Sequence, residues 1–98
     1  MTRTLLRHSA FMILIGCLTS LADAKPAEAT ENEMVRCRYL GSVSGDSGYG
    51  KNPGWLPLAK GKAELRAAKL GATHIVFTGF QPVGAFNGEA QGRAYHCP

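Results

Sequence analysis

A chain of 98 residues, 45% hydrophobic and 18% charged, holds too much apolar material for a disordered segment and too little length for more than one domain. Its net charge of +4 shrinks once Arg3 and Arg7 are assigned to a leader, so no nucleic-acid partner is called for. Three cysteines remain the most informative residues.

Residues 1–8 carry Arg3 and Arg7, and residues 10–18 are apolar apart from Gly16 and Cys17. Ala22-Asp23-Ala24 then supplies the small residues that a signal peptidase requires. The apolar run is well below the length of about 20 residues needed for a membrane-spanning helix. Residues 1–24 therefore read as an export signal cleaved after Ala24. A competing reading takes Leu14-Ile15-Gly16-Cys17 as a lipobox, with cleavage before Cys17 and acylation of its thiol. Leu18 behind that cysteine resembles the pattern of lipoproteins passed on to the outer membrane. Either way Cys17 leaves the fold, and Cys37 and Cys97 remain to pair in an oxidising compartment.

Residues 25–33 are rich in Ala, Glu, Pro and Thr without a hydrophobic repeat and read as a flexible tether. A single domain follows over 34–98. Alternation of Val35, Cys37, Tyr39, Gly41 and Val43 with Arg36, Arg38, Leu40 and Ser42 predicts a first strand. Residues 45–57 are packed with Gly, Pro, Ser and Asn and predict a long loop. Pro57 suits a helix start, the helix is expected over 58–70, and Gly71 suits a left-handed cap. Ala59, Ala63, Ala67 and Leu70 form its inward stripe, small enough for close packing on a sheet. Ile75 to Thr78 predict a second strand, apolar on both faces and hence central. Residues 81–88 predict a turn, and 90–97 a third strand. The crossover makes strands one and two parallel and the return makes strand three antiparallel. Cys37 and Cys97 then meet if strand three lies beside strand one. The expectation is a small two-layer β-α-β-β sandwich of the α+β class, closed by one disulfide.

Several short patterns imitate catalytic or binding motifs. Gly45-Asp46-Ser47-Gly48 spells the nucleophile tetrapeptide of trypsin-like proteases, but His74 and His96 follow it in an order and setting unsuited to that triad. Gly45 through Lys51 has phosphate-loop spacing, yet Asn52 and Pro53 replace the hydroxyl residue and the helix start that such a loop needs. His96 cannot activate Cys97, because adjacent strand residues face opposite ways. No cofactor motif is present. Cys37, Cys97, His74 and His96 are metal-ligand types without the close pairing of a zinc site, and they define the alternative reading of a periplasmic metal-binding protein. Lys62, Arg66 and Lys69 share one flank of the helix, as a solvated face or a surface for anionic groups. Tyr49 and Trp55 either contact a protein or glycan partner or fold back over the small core.

Cys37-Arg38-Tyr39-Leu40-Gly41 with Val43 and Gly45, Ala67-Ala68-Lys69-Leu70-Gly71-Ala72-Thr73-His74-Ile75-Val76, and Gly92-Arg93-Ala94-Tyr95-His96-Cys97 resemble an uncharacterised family of small proteobacterial envelope proteins, many of them lipoproteins. That family is in turn distantly similar to the outer-membrane lipoprotein that senses envelope stress for the Rcs phosphorelay. The sensor has two disulfides where this chain can form one, so its signalling role does not carry over. The resemblance implies a stapled envelope domain without known catalytic residues. The expected function is a non-enzymatic envelope interaction module, with sensing of envelope state as its finer form.

Overall fold

The computed structural model describes residues 25–98, so the export signal expected over residues 1–24, and Cys17 with it, lies outside the described residues. In chain order the elements are β1 (Ala27–Glu28), a 3-10 helix (Glu31–Met34), β2 (Arg38–Asp46), α1 (Trp55–Lys69), β3 (His74–Val83) and β4 (Asn87–His96). The strands form one mixed sheet in the order β1-β3-β4-β2. Strands β2 and β3 are each antiparallel to β4, and β1 is parallel to β3. The fold is therefore α+β, and β2 and β3 run parallel with β4 between them.

Small residues set the distance between the layers. Ala59, Ala63 and Ala67 line the buried face of α1, and Gly45, Ala90, Gly92 and Ala94 are buried beneath it. A Cβ on Gly45 would overlap the Ala59 carbonyl and the Ala63 N–H, so the helix backbone rests directly on β2 at that point. Val43, Ala63, Ala67, Ile75 and Ala94 make the main core. Gly71, at φ 90°, ends the helix as expected: its N–H bonds to Ala68 O and that of Ala72 to Ala67 O, the Schellman arrangement.

The opposite face carries a second, smaller core of Met34, Val76 and Tyr95, with Cys37 and Cys97 packed against it. The Cys37–Cys97 disulfide expected from the cysteine count is present. It closes a loop with a sequence separation of 60 residues. Tyr95 donates its hydroxyl hydrogen to Glu31, which fastens the 3-10 helix over this cluster.

Four details depart from the sequence reading. The sheet has four strands, not three, because residues read as tether supply β1: Ala27 N–H bonds to Thr73 O and Ala29 N–H to Ile75 O. Two residues are too few to carry a periodic signal. The first strand starts at Arg38 rather than Val35, and its register shifts between Tyr39 and Gly41. That bulge puts Tyr39 against Tyr95 on the open face and Val43 under the helix, where simple alternation places both together. Helix α1 begins at Trp55, with Pro57 inside the first turn, where a missing N–H costs nothing. Finally, β3 continues through Pro82 to Val83, so the connection shrinks to residues 84–86, and β3 and β4 share the interior of the sheet. Proline is tolerated because β1 covers only the first two residues of β3, and Pro82 lies on the uncovered edge.

Candidate interaction surface

The two ends of the sheet differ in chemistry. At one end the disulfide, His74 and His96 gather where β2 begins and β4 ends. His74 is paired with Tyr95 in the sheet, so it shares the open face with that ring. His96, the next residue, turns to the helix side and reaches Gly71 O at 3.1 Å. The Nδ1 of His74 lies 2.8 Å from Thr73 Oγ1. The two imidazoles thus occupy opposite faces, and both cysteine sulfurs are held in the disulfide. Among the described residues no three His, Cys, Asp or Glu side chains come together. The alternative metal reading finds no assembled ligand set at His74 and His96. A groove of about 330 Å³ beside the disulfide is lined by Glu33, Met34 and His74 among others.

The basic flank of α1 is partly used within the molecule. Arg66 donates from Nη1 to Ser44 O at 2.7 Å, and Lys62 Nζ lies 3.6 Å from Asp46. Both contacts tie the helix to the outer edge of β2. Arg66 occupies a carbonyl that a foreign strand would otherwise use. Lys69 is exposed at the last turn of the helix, where a cation complements the helix dipole.

At the other end, residues 47–54 and the β3–β4 turn form one braced tip. Asn87 Oδ1 accepts from Ser47 Oγ at 2.7 Å and from Asn52 Nδ2 at 2.6 Å. Asn87 Nδ2 donates to Gly50 O at 2.8 Å, and Asn52 Nδ2 to Tyr49 O at 3.1 Å. The backbone adds Ser47 N–H to Gly88 O and Asn52 N–H to Phe86 O. Trp55 lies on Gly88, where a Cβ would overlap the indole, so this aromatic folds back over the core. Tyr49 does the reverse: its side chain is 102% exposed. Val83 and Phe86 are 50% and 41% exposed, and Lys51 Nζ sits 5.6 Å from the Phe86 ring centre.

The tetrapeptide Gly45–Gly48 belongs to this tip. Asp46 accepts from the Gly48 N–H at 3.1 Å, an Asx turn, and Ser47 donates to Asn87. Neither histidine is near, since both lie at the far end of the strands. Sequence reasoning singled out Tyr49 and Trp55 but missed Ser47, Asn52, Asn87, Val83 and Phe86. Two apolar residues in a turn otherwise made of Gly and Ala are the signal that was available. No family model, curated protein or solved structure matches this chain.

Proposed function

We propose that this chain is a non-enzymatic interaction module of the bacterial cell envelope, exported by its leader. It is either free in the periplasm or held on the outer membrane through Cys17. The observation that carries the reading is Tyr49: a fully exposed aromatic on a loop braced by Asn87, whose amide donates to Gly50 O, 37 residues away in sequence. Exposing such a ring to water is unfavourable, and fixing the loop beneath it removes the entropy that docking would otherwise cost. The disulfide supports the export half of the reading, because such bonds persist in oxidising compartments. In its finer form the module is a sensor of envelope state that presents this end to an envelope protein or glycan.

The test is a photo-crosslinking side chain placed at Tyr49 in cells, with the same group at Leu65, exposed midway along α1, as the comparison. A discrete adduct from position 49 and none from position 65 is the expected result. Equal or absent crosslinking from both positions contradicts it.

A further inference from the structure

The tip has a second property that identifies what it meets. Its polar side chains point into the molecule and are spent there: Ser47, Asn52 and Asn87 bond to one another and to the carbonyls of Tyr49 and Gly50. The backbone carbonyls of Phe86 and Gly88 are likewise taken by Asn52 N–H and Ser47 N–H. Gly88 N–H in turn bonds to Ser47 Oγ at 3.2 Å. What faces outward is Tyr49, Val83 and Phe86. Over residues 47–55 and 82–88 the sole charge is Lys51. The nearest acids, Asp46 and Glu89, pair with each other in the register one step behind, and Asp46 is also met by Lys62.

A loop whose carbonyls at Tyr49, Gly50, Phe86 and Gly88 are already bonded within the molecule gives up less on leaving water than one in which those carbonyls are free. Tyr, Phe and Val with one Lys are the side chains suited to the interfacial layer of a bilayer, where rings sit among headgroups and the amine stays wet. The exposed apolar residues also gather at this end. Six of the ten large ones among the described residues, Tyr49, Leu56, Leu58, Phe80, Val83 and Phe86, belong to the tip, the start of α1 or the second half of β3.

We propose that the tip formed by residues 48–53 and 83–86 inserts Tyr49, Val83 and Phe86 into the interfacial layer of a phospholipid bilayer. This rests on the reading of the chain as an envelope module and names the partner of that surface. The lipid contact is peripheral and is separate from any acyl chain on Cys17, because it is made by the folded domain.

The experiment uses the full chain with unilamellar vesicles of phosphatidylethanolamine and phosphatidylglycerol. Trp55 is the only tryptophan and lies directly under the tip, so its emission reports the contact. The expected result is a blue shift with vesicles and quenching by phospholipids carrying brominated acyl chains. The Tyr49→Ser, Phe86→Ser double variant loses at least about tenfold in apparent partition, from the apolar burial of two rings. Tyr49→Ser alone moves the same way, and its side chain is too exposed for the change to disturb folding. Leu65→Ser leaves partition unchanged. The leader is common to every variant, so its own affinity cancels in the comparison. Equal quenching of the wild type and both tip variants overturns the proposal. A protein adduct at position 49 without any quenching also overturns it, while leaving the interaction-module reading intact.

Discussion

The indole of Trp55 lies flat enough on Gly88 that any side chain there would collide with the ring. This contact joins the start of α1 to the start of β4 and sets the base on which the tip is built. Gly88→Ala is therefore expected to push Trp55 out of its seat at a cost of about 2 kcal/mol, the usual range for overpacking. Urea unfolding followed by Trp55 fluorescence measures both the loss and the altered native emission.

Gly45 and Gly61 make opposite predictions from the same kind of substitution. A Cβ at Gly45 would meet helix backbone, which cannot move aside, so Gly45→Ala is expected to cost about 3 kcal/mol. Gly61 lies inside α1 with nothing within 4 Å of a built Cβ. Gly61→Ala is expected to stabilise by about 1 kcal/mol through helix propensity and reduced freedom of the unfolded chain. Thermal unfolding of the two variants should move in opposite directions.

Reducing the Cys37–Cys97 bond should cost about 4 kcal/mol by the chain-entropy argument for a loop of this length. The loss is read as a lower urea midpoint with reductant than without. Because the 3-10 helix and Met34 pack at that bond, protection of amides near residues 31–37 should fall before that of β4.

Two groups give the stability a defined pH dependence. The Thr30 N–H and hydroxyl both donate to Glu33, which holds its carboxyl below the usual range. A depressed folded pKa means the contribution is present above the unfolded value and is lost as pH falls through the folded one. Tyr95 is shifted the other way, upward, by its hydrogen bond to the Glu31 carboxylate and by desolvation. Its contribution is complete below the unfolded value of about 10 and is lost as pH rises through the folded one. Melting temperature against pH should therefore lose part of its acid limb in Glu33→Ala and part of its alkaline limb in Tyr95→Phe.

Lys62→Ala should change stability by less than about 1 kcal/mol, since its pair with Asp46 is half exposed and screened. Tyr49→Ser should leave stability unchanged, because the ring packs on nothing. Both are read by urea titration, and the second separates a contact role for Tyr49 from a structural one.

The layer architecture was legible wherever a repeat was long enough to count. Ala59, Ala63 and Ala67 announced the buried stripe of α1 and Gly71 its end, whereas Leu70, read as the fourth member of that stripe, is the C-cap and stays exposed. The closing disulfide followed from cysteine parity, and the relative directions of the three long strands from the crossover rule. What stayed hidden were features without periodicity. Strand β1 spans two residues and exists only because β3 offers it an edge. The bulge at Leu40 moves Tyr39 to the open face, which alternation alone cannot signal. Pro82 resembled a turn residue because a sequence does not tell which strand edge lacks a neighbour. At the tip, Tyr49 was visible as an aromatic in a glycine loop. Its bracing was not, because Asn87 and Asn52 are far apart in sequence and meet only once β4 is placed beside β2.

The claim on which the rest depends is an exported domain closed by one disulfide. Intact mass of the protein from its native host, measured with and without reductant, tests it most directly. The expected result is a chain starting at Lys25, or an acylated chain starting at Cys17, that gains about 2 Da on reduction. A chain retaining Met1 and residues 2–24, with no change on reduction, would contradict it.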